Sequence, residues 1–176
     1  MESIKRVHFF DGKTLTPEDL KAEQDYHLAK QQARNLSRFG RGVVSGLRVS
    51  IDTAGFRVSP GFGVDHLGRE IIVQDAVLVP YGTALKRAYL VLRYKETASD
   101  PTPAPTWGEV VYTRIEEGFQ FGLQPIGPIE PELIVLAELE QTAHGWRVVP
   151  PPASRVAWLM AITLGVIALL SCVRRR

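Results

Sequence analysis

Between Arg155 and Arg174 the chain carries eighteen consecutive residues, VAWLMAITLGVIALLSCV, with no ionisable side chain apart from the thiol of Cys172. As a helix this run would be roughly 27 Å long, close to the ~30 Å hydrocarbon thickness of a bilayer. Nine of its residues are Val, Leu or Ile, each favouring insertion by about 0.3 to 0.6 kcal/mol at the helix centre. Insertion therefore comes out favourable even after discounts for Thr163, Gly165 and Ser171. A buried helix of a water-soluble fold would show a polar stripe, and none can be drawn here. The expectation is a single-pass anchor, with Val156, Trp158, Leu159, Ile162, Leu164, Val166, Ile167, Leu169, Leu170 and Val173 among acyl chains. Arg155 on one side and Arg174, Arg175 and Arg176 on the other are placed to reach headgroups. Ala157, Ala161, Gly165 and Ala168 recur near helical spacing, which could let two such helices approach.

If 156–173 is the anchor, the residues before it are the cargo, and their number allows one domain with a real core or two very small ones. The formal charge of the chain is +2, but four of its arginines lie from 155 onward. Without them seventeen Lys and Arg face nineteen Asp and Glu, so the head is mildly acidic and nothing points to nucleic acid. The single cysteine lies in the apolar run, which leaves no disulfide framework and fits a reducing compartment. MESIKRVHFFDGK has charges where a secretory signal needs an apolar run. The head is accordingly expected on the cytoplasmic side of the membrane, although three arginines beyond the anchor pull the orientation the other way. The organisation expected is a turn and helix over 1–41, a β-rich domain over 42–149, a Pro-rich spacer at 150–155, the anchor at 156–173 and a basic tail at 174–176.

LTPEDLKAEQDYHLAKQQARNLSRFGRG carries dense helix-start signals. Thr16 can cap, Pro17 suits the first helical position, Asp19 stands where a capping box needs an acceptor, and Leu15 and Leu20 occupy the staple positions. Glycines 40 and 42 stop the helix. Its apolar stripe, Ala22, Tyr26, Ala29, Ala33 and Leu36, is narrow, so the helix either lies on the surface of its own sheet or waits for a partner. From Gly42 the period changes to two. VVSGLRVSI, GFRVSPGFGVD, GREIIVQ, AVLVPY, AYLVLRYKE, EVVYTRIEE, ELIVLAELE and GWRVV read as strands. TASDPTPAPTW and GFQFGLQPIGPIEPE read as Pro- and Gly-rich loops between them. The fold class expected is α+β, mainly β: one long N-terminal helix, a compact domain of about eight short strands, and a C-terminal transmembrane helix.

Catalytic chemistry finds little support, and the chain is not expected to be an enzyme. His8, His27, His66 and His144 are scattered, and none pairs with another at metal-ligand spacing. Glu23 and His27 are one helical turn apart, the spacing of a surface pair. Asp65, Arg69 and Glu70 flank a turn in VDHLGRE, where a carboxylate and a guanidinium commonly fix the backbone. No phosphate-cradling loop or nucleophile elbow appears, so no catalytic residue, cofactor or metal is assigned. The candidate partner-binding residues are Phe9 and Phe10 beside the Asp11-Gly12 turn, Tyr26, His27, Gln31 and Arg34 on the helix, and Phe119 and Phe121 in GFQFG. For the phenylalanines the competing reading is core packing.

HFFDGKTLTPEDLKAEQDYH, GRGVVSGLRV and VSPGFGVDHLGREIIV, in that order over roughly residues 7 to 74, resemble a family of bacterial proteins associated with phage-tail-like contractile injection systems, where a baseplate or accessory role is suspected. PELIVLAELE is similar, more loosely, to a strand of tail-associated β-domains. The resemblance carries no catalytic residues. It implies a non-enzymatic structural or adaptor protein, with baseplate or other injection-system proteins as partners and several copies in a symmetric assembly. The apolar tail departs from the soluble pattern of that family and adds a membrane as partner, so that the chain would tether such a machine. Many copies around a symmetric baseplate would add avidity. The alternative is a tail-anchored β-domain that binds a ligand or signalling partner unrelated to injection machines.

Overall fold

The structure, a computed structural model, describes residues 5–82, 85–104 and 108–149. Helix α1 runs Pro17–Phe39 and starts where its sequence dictates. The Thr16 hydroxyl accepts from the Asp19 N–H at 3.2 Å, and the Asp19 carboxylate accepts from the Thr16 N–H at 3.3 Å. This reciprocal pair satisfies two of the donors that a helix start otherwise leaves free. Gly40, at φ +67°, closes the other end by donating its N–H to the Leu36 carbonyl at 3.0 Å. The staple does not close, since Leu15 and Leu20 are both more than half exposed. Ala22, Ala29, Ala33 and Leu36 of the apolar stripe are exposed as well, and the one buried residue of α1 is polar Asn35.

Ten strands follow: β1 Gly42–Gly46, β2 Val49–Ile51, β3 Gly55–Val58, β4 Gly61–Val64, β5 Glu70–Val73, β6 Val77–Pro80, β7 Arg87–Pro103, β8 Val110–Pro125, β9 Ile134–Thr142 and β10 Gly145–Val149. They form three antiparallel sheets in the orders β1-β4-β5, β2-β3-β6 and β10-β9-β7-β8. The first two sheets share a corner. There β1 passes into β2 at Leu47, held at φ 52°, and β3 passes into β4 at Ser59-Pro60. The Leu47 N–H donates to the Pro60 carbonyl at 3.2 Å, and the Ser59 N–H to the Arg48 carbonyl at 2.9 Å. A Cβ on Gly46 would lie 2.0 Å from the Pro60 oxygen, so the two chains cross this closely only because Gly46 has no side chain.

One core serves all three sheets. Leu47, Phe56, Val58, Ile71, Val73, Val79, Leu90, Leu92, Leu136, Ala137 and Leu139 are buried together. Burying a side chain of this size stabilises by about 1.5 to 3 kcal/mol. At one end Phe56 meets Tyr81 and Trp146 edge-on, at centroid distances of 4.9 and 5.3 Å, and the Tyr81 hydroxyl donates to the Asp52 carbonyl.

The architecture corrects the expected fold class. Among the described residues there are ten strands rather than about eight, two of them of 17 and 16 residues rather than short. Among the described residues no helix is long and apolar enough to cross a membrane. The expected anchor, 156–173, its flanking arginines and the spacer from Pro150 lie outside the described residues. VVSGLRVSI is two strands in two sheets, because Leu47 turns the chain. Much of the two expected loops is strand: β7 continues through Thr97–Pro103, and β8 through Gly118–Pro125. Prolines 101 and 103 are tolerated because β9 pairs with β7 only as far as Leu92, so beyond that point one edge of β7 needs no donors.

Candidate functional site

The turn between β4 and β5 organises the surface of greatest chemical interest. Asp65, with a fully buried side chain, accepts from the N–H groups of Leu67 and Arg69, each at 2.9 Å, and from Arg69 Nε at 2.6 Å. A short acceptor at this position replaces the backbone partners that a five-residue turn cannot supply. The turn puts Gly68 at φ +86° directly against α1, where a Cβ would lie 2.3 Å from the Gln32 carbonyl oxygen. The Gly68 carbonyl accepts from Asn35 Nδ2 at 3.0 Å, and the Glu70 carboxylate accepts from both Asn35 and Gln31 at 3.0 Å. The helix therefore docks in its C-terminal half, by these polar contacts and by the Phe39 ring, edge-on to Phe62 at 6.0 Å. That explains why Ala22, Ala29, Ala33 and Leu36 of its apolar stripe are left uncovered.

Between α1, this hairpin and the β7–β8 ribbon lies a cleft of about 410 Å³, lined by Leu28, Gln31 and Gln32, by Gly68 to Glu70 with Ile72 and Gln74, and by Tyr94, Glu96, Glu117, Gly118 and Phe119. Glu96 and Glu117 are direct cross-strand partners, a placement of like charges that destabilises a ladder. Arg69 is the one cation among these lining residues, and it is already engaged: Asp65 holds its Nε, and its guanidinium lies 4.3 Å from the centre of the Tyr94 ring. The Tyr94 hydroxyl donates to Glu96 at 3.1 Å. Burial first, and the Glu96 hydrogen bond second, push the phenol well above its usual range, so it stays a neutral donor. With three carboxylates and two aromatic rings, the cleft suits a cationic or amide-bearing side chain of a partner rather than an anion. Among the described residues no group of three or more His, Cys, Asp or Glu could hold a metal ion.

Two of the residues read from the sequence as partner-binding, Gln31 and Phe119, meet in this cleft. The others lie elsewhere. Phe9 and Phe10 are exposed before the helix, with Lys13 Nζ 5.7 Å from the Phe9 ring centre. Tyr26 is half-buried, with the His27 ring edge-on at 5.3 Å. His27 Nε2 is 3.0 Å from the Glu23 carboxylate on an exposed face, and Arg34 is exposed. Phe121 packs on the core and meets Phe119 at 5.4 Å. Tyr94, Glu96 and Glu117 were not singled out in the sequence. Only the register Tyr94↔Phe119 and Glu96↔Glu117 brings residues twenty or more positions apart onto one face.

No family model matches the chain, and no curated protein is similar to it in sequence. Its fold does recur in solved structures. It is similar to a chain of the baseplate complex from the type VI secretion system, with a TM-score of 0.53, 16% identity, and 99% of this chain covered against 69% of that one. It is also similar to a chain of the type VI secretion system TssK-TssF-TssG baseplate subcomplex, with a TM-score of 0.51, 14% identity and coverage of 86% and 62%. At these identities the likeness is one of fold, and it agrees with the resemblance of residues 7 to 74 to proteins associated with contractile injection systems.

Proposed function

We propose that this chain is a non-enzymatic structural adaptor that docks on the baseplate region of a phage-tail-like contractile injection system and holds it to a membrane. The observation that carries the first half is the likeness of fold, at a TM-score of 0.53, to a chain of a type VI secretion baseplate complex. The exposed faces support docking. Helix α1 leaves Leu20, Leu28 and Leu36 uncovered, and the acidic cleft beside it offers charge complementarity to a basic partner segment. The second half rests on the apolar run 156–173, whose composition favours transfer from water into hydrocarbon. In this reading the β domain stays on the cytoplasmic side and several copies surround one symmetric machine.

Two measurements test the two halves separately. Affinity capture of the full chain from its native cells is expected to recover baseplate, sheath or tube proteins, and recovery of none overturns the docking half. Fractionation with and without residues 155–176 is expected to move the protein from carbonate-resistant membranes to the soluble fraction. A full chain that disperses without detergent overturns the tethering half. The cleft of about 410 Å³ favours a second reading, a β domain that binds a ligand or signalling partner unrelated to injection machines. Capture without injection-system proteins would leave that reading standing.

A further inference from the structure

Beyond Leu92, where β9 ends its pairing, β7 and β8 continue as a two-stranded ribbon, which first packs on the body through Tyr94 and Phe119 and then extends as an exposed arm. The arm runs from Thr97↔Glu116 to Pro103↔Val110, about 20 Å at the usual rise per residue. A two-stranded ribbon is marginal by itself in water, yet this one carries Val110, Val111, Tyr112 and Ile115 at 42 to 69% exposure. Among the described residues β8 is also the outer strand of its sheet along its whole length, so there the arm presents a row of backbone donors and acceptors without a ladder partner. Proteins usually blunt such an edge with prolines, inward charges or cover. Before its last residue, Pro125, β8 has no proline.

Its sequence is instead complementary to itself. In an antiparallel pair of identical strands about a twofold axis, opposite residues have position numbers with a constant sum, and they share a face of the sheet. With the axis at Ile115, Arg114 stands opposite Glu116 of the second copy, and Glu116 opposite the second copy's Arg114. The same register sets Ile115 against Ile115, Val111 against Phe119 and Tyr112 against Gly118, where an aromatic ring covers the bare backbone of an edge glycine. Moving the axis to either neighbour loses this: at Arg114 two guanidinium groups meet, and at Glu116 two carboxylates meet. In the single copy Arg114 donates to the carbonyl of Thr113 at 2.9 Å, so its guanidinium already lies along the strand.

We propose that β8 is a dimerisation strand, through which two copies of this chain pair antiparallel about Ile115 to join their four-stranded sheets into one of eight. This is independent of docking on a baseplate, since it concerns only the chain with itself, and it adds a defined twofold contact that the fold likeness does not supply.

The test uses the full chain in detergent micelles, with the protein mass in the complex measured by light scattering. The wild type is expected to dimerise. Arg114→Glu and Glu116→Arg each convert two attractive pairs into two repulsive ones and should each weaken self-association by at least about tenfold. An equimolar mixture of the two variants restores both pairs and should dimerise like the wild type, as should the double variant. In a Cys172→Ser background, Ile115→Cys should form a disulfide between copies, because opposite Cα atoms lie about 4.5 to 5.5 Å apart in such a ladder. Circular dichroism checks that these exposed substitutions leave the fold intact. A wild-type chain that stays monomeric overturns the proposal. So does a dimer indifferent to both charge reversals, which would place the contact elsewhere, for example between apolar tails. Capture of β8 by a strand of a different protein, with this chain monomeric, overturns it as well.

Discussion

Asp65→Ala should be the most damaging polar substitution in the molecule. The carboxylate is fully buried and accepts three hydrogen bonds, two from backbone N–H groups of its own turn and one from Arg69 Nε. Removing it leaves the guanidinium without its counter-charge, and breaking a buried pair from one side costs about 3 to 5 kcal/mol. The turn lies near the surface, and the Arg69 side chain retains 26% exposure. Water can therefore reach part of what is lost, and the lower half of that range is expected. Against a total stability of about 5 to 15 kcal/mol this is a large fraction. The damage should also spread, because the same turn presents Gly68 and Glu70 to Asn35 and Gln31 of α1. Urea unfolding of the full chain by far-ultraviolet circular dichroism gives the stability change, and amide exchange of Leu28–Phe39 gives the loosening of the helix. Arg69→Met is the control. It breaks the same pair from the other side and removes the contact with Tyr94, leaving the buried carboxylate with its two backbone donors but no counter-charge, so its cost should fall in the same range. A loss under about 1 kcal/mol for either variant, below the value of a single charged hydrogen bond, would refute the reasoning.

Gly68→Ala puts an L-residue at φ +86° and a methyl carbon 2.3 Å from the Gln32 carbonyl. The backbone strain alone is worth about 1 to 2 kcal/mol, and amide exchange in the C-terminal half of α1 should rise; unchanged exchange would mean that the helix does not dock there. Phe56→Ala removes a ring at 0% exposure that holds Tyr81 and Trp146 together. It should cost about 3 to 5 kcal/mol in the same urea assay, and a loss below 1 kcal/mol would show that the core collapses to fill the space. The ammonium of Lys13, followed by the Thr16 N–H, holds the Asp19 carboxyl below its ordinary 3.8. Since the folded value is the depressed one, this stabilisation is complete above the ordinary value and is lost as the pH falls through the folded one. Exchange protection of the first turn of α1 should therefore be flat from neutrality to about pH 4 and fall below it, and Asp19→Asn should remove the step.

The start and end of α1 were legible because they depend on neighbours within four positions: Thr16, Pro17 and Asp19 form the cap among themselves, and Gly40 needs only its own freedom at positive φ. The Asp65 turn was legible for the same reason, since Asp65 and Arg69 close it locally. The cleft was not. Its carboxylates and rings come from β5, β7 and β8, and nothing near Glu96 in the chain says that Glu117 stands opposite. The prolines of β7 misled because a proline excludes a strand only where its N–H is needed, and that depends on where β9 stops.

By itself, then, the sequence determined the local devices and the alternation that makes the chain a β protein behind one long helix. It also places an apolar run at 156–173 whose transfer energy depends on composition alone. Only the tertiary structure decided how many strands there are, which of them meet, and that α1 docks by Asn35 and Gln31 rather than by its alanines. The reason is the range of the forces. Caps and turns are settled by groups within hydrogen-bond reach along the chain, whereas strand register is settled by partners dozens of residues away, where all three sheets share one buried core.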